Sequence, residues 1–199
     1  EFCGKLGKKV ASDVVTLIDD GSIEGEWGSL HIDDEGTPTQ KNILIENGIL
    51  KSYMVDRLNG MRAGLAPTGS SRRQNYKYAP VARMTNTYIA PGKSTPEEII
   101  AATERGLYVK SIIGGSVESA TGDFNFSTGE CYLIENGKVT TPVRGATLIG
   151  NGGTVLQNVD MVAGDYDLRQ GYCYASSGAL FIGAGQPTIR VSNMTVGGI

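Results

Sequence analysis

Histidine is almost absent from this sequence, because His31, between Leu30 and Ile32, is the only one in 199 residues. A hydrolytic metal site needs about three protein ligands and an open position. Neither the H-E-x-x-H nor the C-x-x-C spacing occurs. The chain therefore lacks a conventional metal site made from its own residues, and His31 is predicted to face solvent or a partner.

Long apolar runs and a disulfide framework are also missing. No run approaches the ~20 residues that cross a bilayer, and the first residues lack an apolar secretion segment. Cys3, Cys131 and Cys173 are unevenly spaced, which does not indicate disulfide pairing. These features predict a cytoplasmic protein without a membrane segment. Because the sequence does not begin with Met, we expect it to be part of a longer protein.

Acidic side chains are absent from residues 57–96, which we term the basic segment. The remainder has 11 basic and 21 acidic residues, so a positive region adjoins a negative one. Such a region attracts carboxylates or phosphates, whereas the net charge of -3 argues against a general nucleic-acid binder. In the alternative interpretation, its basic side chains only pair with acidic residues elsewhere. The seven are Arg57, Arg62, Arg72, Arg73, Lys77, Arg83 and Lys93.

Two phrases of the basic segment combine guanidinium groups with small polar side chains, a combination suited to holding a planar anion. They are Thr68-Gly69-Ser70-Ser71-Arg72-Arg73 and Arg83-Met84-Thr85-Asn86-Thr87. Ser70 and Ser71 lack the spacing of a catalytic nucleophile and favour a turn. We therefore expect Arg72, Arg73, Arg83, Thr85 and Asn86 to contribute to substrate binding.

Local signals predict an α+β fold. Asn-Gly at 47–48 and at 136–137 stands between β-favouring flanks, as in tight hairpins. Thr95-Pro96-Glu97-Glu98 is a capping box with Pro at the first helical position, which predicts a helix ending by Gly106. Other helices are predicted over 2–10, 55–65 and 154–164, and strands over 14–18, 29–33, 108–113, 124–127, 179–182 and 188–192.

No low-complexity linker divides the chain, which predicts a single domain over residues 1–199. We expect its core to be mostly antiparallel β-sheet or barrel-like, with two to four short helices. Gly114 and Gly115 would allow another backbone to approach closely, but they match no nucleotide-binding motif.

Cys173 lies among small and turn-forming residues, in Gly-Tyr-Cys-Tyr-Ala-Ser-Ser-Gly over 171–178. Its thiol could reach a cleft, or it could be buried and inert. The residues by themselves leave both interpretations open.

Six phrases that occur in order along the chain resemble the TldD/PmbA family. The Arg-Arg and Arg-Met-Thr-Asn-Thr phrases are similar to the TldD branch and differ from the PmbA (TldE) branch. The phrases are Asp33-Asp34-Glu35-Gly36-Thr37-Pro38, Thr68-Gly69-x-x-Arg72-Arg73, Arg83-Met84-Thr85-Asn86-Thr87, Gly114-Gly115-x-Val117, Gly145-Ala146-Thr147-Leu148-Ile149-Gly150, and Gly185-Gln186-Pro187 with Thr195-Val196-Gly197-Gly198.

The resemblance implies a zinc metallopeptidase that pairs with a TldE-type subunit and cleaves unfolded or extended peptides, with an older name as a modulator of DNA gyrase. Zinc is then bound by the two histidines of H-E-x-x-x-H and one distant cysteine, while the intervening Glu handles the proton of the attacking water. Cys173, fourteen residues before Pro187 of Gly-Gln-Pro, matches that cysteine.

The sequence departs from the family pattern at informative places. H-E-x-x-x-H is missing, so the chain resembles the C-terminal portion of a TldD-like protein, with the catalytic motif expected upstream. We expect this portion alone to bind no zinc and to be inactive, because one thiolate without imidazoles holds zinc poorly. Cys173-Tyr174-Ala175 replaces the family's Cys-Gly-Lys, and Gly69-Ser70-Ser71-Arg72-Arg73 replaces Gly-Asn-Gly-Arg-Arg.

Two functional hypotheses follow. In the first, the parent protein hydrolyses extended peptides that add to an exposed strand near Gly114 and Gly115, and Arg72, Arg73 or Arg83 binds a substrate carboxylate. Arg72 and Arg73 would then face opposite sides of a strand. In the second, the chain is a non-catalytic binding module or regulatory subunit that docks an acidic protein. The expected partner is a TldE/PmbA-type subunit or a second copy.

Overall fold

A computed structural model describes residues 2–198, within which 17 strands and 3 helices are present. The first half contains β1 (Leu17–Asp20), β2 (Lys41–Glu46), β3 (Ile49–Leu50), α1 (Arg57–Ala63), β4 (Ser71–Arg72), β5 (Val81–Ala82), β6 (Asn86–Ile89) and α2 (Pro96–Ala101). The second half contains β7 (Arg105–Val109), β8 (Ile112–Val117), β9 (Asp123–Thr128), β10 (Cys131–Glu135), β11 (Lys138–Val143), β12 (Thr147–Asn151), α3 (Gly152–Asn158), β13 (Val159–Val162), β14 (Asp167–Ala175), β15 (Gly178–Gln186), β16 (Ile189–Val191) and β17 (Thr195–Gly197).

The strands form five sheets, of which the largest has six strands in the order β14-β15-β6-β1-β2-β3. A four-stranded sheet has the order β17-β12-β9-β8, and a three-stranded sheet the order β11-β10-β7. Two small sheets pair β13 with β16 and β4 with β5. Neighbouring strands are antiparallel except for β15 and β6. The predicted α+β class with a mostly antiparallel core and few helices is confirmed, and over residues 2–198 the sheets stay open.

The two Asn-Gly signals form the predicted hairpins. Asn47 and Gly48 have φ of 48° and 81°, and Asn136 and Gly137 have 51° and 73°. Positive φ at both central residues defines the turn that matches the twist of the flanking strands. These turns join β2 to β3 and β10 to β11.

Two helix predictions are confirmed with shorter bounds. Thr95 caps α2: its Oγ1 accepts from the Glu98 main-chain nitrogen, and its own main-chain nitrogen donates to the Glu98 carboxylate. Asp56 caps α1, and Gly64 ends it with φ of 67°.

Other element predictions were wrong. The helix predicted over 2–10 is replaced by turns, because Gly4 and Gly7 take φ of 72° and 74°. The helix predicted over 154–164 ends at Asn158, and the next residues form β13, which pairs with β16. The strand predicted over 29–33 is reduced to an isolated bridge between Ile32 and Pro38. The strand predicted over 108–113 is divided between β7 and β8.

The main hydrophobic core packs β1–β3 and β6 against β13. It contains Val10, Ala11, Val15, Ile45, Leu50, Ile89, Val159 and Val162. Because β14 and β15 continue the same six-stranded sheet, this core fixes the base from which their hairpin extends. Within the described residues, no helix is both long and apolar enough to cross a membrane.

Candidate functional site

Cys173 lies in the hairpin formed by β14 and β15, directly opposite Leu180. Side chains alternate between the faces of a strand, so Cys173 and buried Leu180 share one face while Tyr172 and Tyr174 point to the other. The Cys173 side chain is half-buried and belongs to a free cysteine. The thiol is therefore neither sealed in the core nor fully exposed.

The opposite face of this hairpin carries a cluster of half-exposed aromatic rings. The Phe181 ring centroid lies 5.0 Å from that of Trp27 and 4.9 Å from that of Tyr172. Tyr174 stacks on Tyr172 at 6.3 Å. These contacts stiffen β14, which among residues 2–198 is the outermost strand of its sheet.

The buried side chain of Arg83 binds the turn of the β14–β15 hairpin and the strand next to it. Its Nη1 donates to Ser177 Oγ at 2.6 Å and to the Gly178 carbonyl oxygen at 2.9 Å, and its Nη2 donates to the Cys173 carbonyl oxygen. Arg83 is only 4% exposed, and its Nε has no hydrogen-bond partner in the described part of the chain. This guanidinium thus connects both strands of the hairpin that carries the thiol.

Arg72 lies beside it and is equally buried. Its guanidinium donates to the carbonyl oxygen of Met84 at 2.5 Å and to that of Phe181 at 2.8 Å. Burial lowers the pKa of Arg72 from its ordinary value, and the nearby charge of Asp19 acts in the opposite direction. The first contact connects β4, which contains Arg72, to the segment that precedes β6, and the second connects β4 to β15.

Gln74 completes these contacts. Its main-chain nitrogen donates to the Ser177 carbonyl oxygen at 2.8 Å, and its Oε1 accepts from the Ala179 main-chain nitrogen at 2.9 Å. Gly178 takes φ of 94°, and a Cβ built there would lie 2.5 Å from Gln74 Cβ. The turn of the hairpin can therefore sit against Gln74 only with glycine at this position.

Arg73 faces away from this region, as strand alternation predicts. Its side chain is 35% exposed, with Nε 3.9 Å from Asp34 Oδ1, and its main-chain nitrogen donates to Asp34 Oδ2 at 2.8 Å. The alternative interpretation, in which a basic side chain only pairs with an acidic residue, therefore fits Arg73. Arg72 and Arg83 instead bind main-chain carbonyl oxygens, so two of the seven positive charges are removed from the surface of the basic segment.

Thr85 and Asn86 are buried and bind polar groups of the domain. The Thr85 main-chain nitrogen and Oγ1 both donate to the Asp19 carboxylate at 2.8 Å. Asn86 Nδ2 donates to the Asp20 carbonyl oxygen at 2.8 Å, and its Oδ1 accepts from the Gly28 main-chain nitrogen at 3.1 Å. The Arg-Met-Thr-Asn-Thr phrase therefore joins β6 to β1 and to the loop that follows β1.

Gly114 and Gly115 lie elsewhere, in β8 at the edge of the four-stranded sheet. Every residue of β8 is exposed. A Cβ at Gly115 would lie 2.2 Å from Phe126 Cδ1 in the neighbouring strand, whereas one at Gly114 would meet nothing within 4 Å. The fold thus brings Arg72 and Arg83 to Cys173 and places Gly114 and Gly115 in a separate sheet.

The donors for a metal ion are incomplete in this part of the protein. Among residues 2–198, no group of three His, Cys, Asp or Glu side chains is placed to hold a metal ion. A thiolate is a good ligand for zinc, so Cys173 fits as one donor of a site. The remaining donors of such a site would have to come from outside these residues.

Sequence reasoning missed Gln74, Ser177, Gly178 and Asp19 as parts of this region. Gln74 directly follows the Arg72-Arg73 phrase, and Gly178 ends the run of small and turn-forming residues around Cys173. Both are therefore adjacent to motifs that the sequence analysis singled out. Asp19 gave no local signal, because its partners Thr85 and Thr87 are 66 and 68 residues away.

Comparison with known proteins identifies the family of the chain. The family described as PmbA/TldA metallopeptidase C-terminal domain matches residues 2–198. The chain belongs to this family. The resemblance to TldD/PmbA proteins inferred from the six phrases is therefore confirmed.

The relatives of this PmbA/TldD domain include the metalloprotease TldD homolog of Buchnera aphidicola, 49% identical over 99% of this chain and 41% of that protein. The zinc metalloprotease TldD homolog of Saccharolobus solfataricus is 33% identical over 96% of this chain and 43% of that protein. The chain thus spans about two fifths of the length of the curated relatives it matches.

Two crystal structures share the fold. TldE from Thermococcus kodakarensis has a TM-score of 0.82 and 29% identity, covering 99% of this chain and 42% of its own. A protein from Thermotoga maritima described as a candidate modulator of a DNA gyrase has a TM-score of 0.82 and 25% identity, covering 98% of this chain and 42% of its own.

Proposed function

We propose that this PmbA/TldD domain supplies the cysteine ligand, Cys173, to a zinc-dependent peptidase that cleaves unfolded or extended peptides. The observation that carries the proposal is the position of Cys173. Its half-buried thiol lies in an edge strand whose backbone is fixed by hydrogen bonds that Arg83 donates to the Cys173 carbonyl oxygen and to Ser177 Oγ in the adjacent turn. The printed name of the Saccharolobus relative supports zinc as the metal.

When bound, zinc would polarise the scissile carbonyl or activate water, and this chain would contribute one sulfur ligand. The role of its own residues is then to bind and orient. Arg72, Arg83 and Gln74 hold the backbone around Cys173, and the core beneath the six-stranded sheet fixes the base of the hairpin. By itself the 199-residue chain is expected to be inactive, because one thiolate does not retain zinc against competition.

We propose β8 as the place where an extended peptide adds as a further strand. It is an edge strand, exposed along its length, and Gly114 leaves open space above the backbone. An unpaired edge offers main-chain donors and acceptors that bind peptides without selecting their side chains.

Among the three arginines predicted to bind a substrate carboxylate, Arg73 is the most accessible. We propose it for that role. Substrate contacts of Arg72, Arg83, Thr85 and Asn86 remain predictions, since these side chains are buried and each already makes hydrogen bonds within the domain.

A TldE/PmbA-type subunit or a second copy is the proposed partner. The similarity to TldE supports it, because related subunits of one fold commonly pair through equivalent surfaces. The cytoplasm remains the predicted compartment, on the basis of the cysteine content.

Zinc retention by the complete parent polypeptide tests the ligand assignment. Cys173→Ser is compared with Cys3→Ser, the same substitution at an exposed cysteine. We expect Cys173→Ser to lose bound zinc and peptide cleavage by about 100-fold or more, and Cys3→Ser to match the wild type. Equal zinc content in the two variants would overturn the proposal.

A further inference from the structure

The carbonyl oxygen of Cys173 is itself an acceptor for Arg83, whose other nitrogen binds Ser177 and Gly178 on the far side of the turn. One planar group therefore fixes the strand position of Cys173 relative to the turn four residues later. A guanidinium suits this task because its donors have a rigid, fork-like geometry that an ammonium group lacks.

The burial of Arg83 is costly, which indicates that its contacts are specific. It is 4% exposed, its Nε has no partner, and within residues 2–198 no carboxylate lies within ion-pair distance of it. Burying a charge is costly unless it is paired or hydrogen-bonded, so Arg83 depends on its hydrogen bonds to offset the loss of solvent. Here all three bonds converge on the hairpin tip that carries the thiol.

We propose that Arg83 is a positioning residue for Cys173, fixing the direction in which the thiol leaves β14. The inference rests on the proposed role of Cys173 as a metal ligand and adds the reason why the Arg-Met-Thr-Asn-Thr phrase begins with arginine. Replacing a group that orients a metal ligand typically lowers metal affinity by about 10- to 100-fold.

The test uses the complete parent polypeptide with Arg83→Met, Arg83→Lys and Ser177→Ala. Arg62→Met is the matched control, because Arg62 belongs to the same basic segment but is exposed at the end of α1. Zinc affinity is measured by chelator competition. In protein loaded with Co²⁺ instead, the thiolate-to-metal charge-transfer absorption reports on the bond to Cys173.

We expect Arg83→Met to weaken zinc binding by about 10- to 100-fold and to reduce the charge-transfer band, with partial rescue in Arg83→Lys. Ser177→Ala removes one acceptor and should weaken binding by roughly 3- to 10-fold. Arg62→Met should stay within about twofold of the wild type. If Arg83→Met fails to fold, Ser177→Ala and Arg83→Lys carry the test.

The outcomes separate the two proposals. Wild-type affinity and absorption in Arg83→Met, Arg83→Lys and Ser177→Ala, together with loss of the band in Cys173→Ser, would overturn the positioning role and leave the ligand assignment intact. An unchanged band in Cys173→Ser would overturn the ligand assignment. In that case amide hydrogen exchange still tests the positioning role, because exchange over 173–179 should accelerate in Arg83→Met, and unchanged exchange would overturn it.

Discussion

Arg72 donates a 2.8 Å hydrogen bond to the carbonyl oxygen of Phe181, a residue 109 positions later in the chain. The bond connects the basic segment to the strand opposite Cys173. Together with the hydrogen bonds of Arg83, it forms a buried polar network between the basic segment and the β14–β15 hairpin. Such networks define one arrangement of the backbone because each unpaired group would be costly.

Replacing Arg72 with Met should therefore destabilise the domain. The carbonyl oxygens of Met84 and Phe181 lose their buried donor, at a cost of about 2–4 kcal/mol in the free energy of unfolding. Urea unfolding of the 199-residue chain measures the effect. Arg62→Met is the exposed control and should change stability by less than about 0.5 kcal/mol. Equal stability of the two variants would contradict the structural role of Arg72.

Gly178→Ala should cost more than backbone strain alone explains. Gly178 and Gly25 both have positive φ, of 94° and 81°, but an added Cβ contacts Gln74 at position 178 and nothing within 4 Å at position 25. We expect about 1 kcal/mol of destabilisation for Gly25→Ala and at least ~2 kcal/mol for Gly178→Ala. Thermal and urea unfolding of both variants would reveal the difference, and equal losses would show that Gln74 moves aside freely.

The acid stability of the domain should depend on Asp56. Burial pushes the pKa of this carboxyl upward, but hydrogen bonds from Asn59 and from the Ala82 main-chain nitrogen outweigh it and hold the pKa below its ordinary value of 3.8. A lowered pKa stabilises the folded state above about pH 4, and this contribution is lost as the pH falls further through the folded-state pKa. The Asp56→Asn variant keeps a good helix cap but cannot titrate.

The stability difference between wild type and Asp56→Asn should accordingly shrink as the pH falls from about 5 to below 3. Urea midpoints of both proteins at several pH values measure it. A difference that stays constant over that range would exclude Asp56 as a contributor to acid unfolding.

Peptide addition at β8 predicts a binding defect in Gly114→Val. A Cβ at this position meets no atom of residues 2–198 within 4 Å, so we expect folding to be preserved while an approaching peptide strand is crowded. In the complete parent polypeptide we expect KM for extended peptides to rise by about 10-fold with kcat unchanged. Gly164→Val, at an exposed position outside the sheets, serves as control. Unchanged KM in Gly114→Val would place the peptide on another edge.

Features that depend on neighbouring residues could be predicted from the sequence. The Asn-Gly turns require only left-handed backbone at two adjacent positions, and the Thr95 capping box involves residues three apart. The helix predicted over 2–10 failed because the apolar pattern did not reveal that Gly4 and Gly7 would take positive φ. The strand nature of 159–162 depends on pairing with β16, which is about 30 residues away in sequence.

The sequence by itself determined the α+β class, both hairpins, the alternation of Arg72 and Arg73, and family membership, since these follow from local geometry or from ordered phrases. Only the tertiary structure decided that Arg72 and Arg83 are buried against the hairpin of Cys173, and that Gly114 and Gly115 belong to another sheet. The arginine positions depend on contacts between residues 90 or more apart, such as Arg83 with Cys173 and Arg72 with Phe181. The sheet of Gly114 and Gly115 depends on which strands β8 and its neighbour β9 join, and no short segment fixes either arrangement.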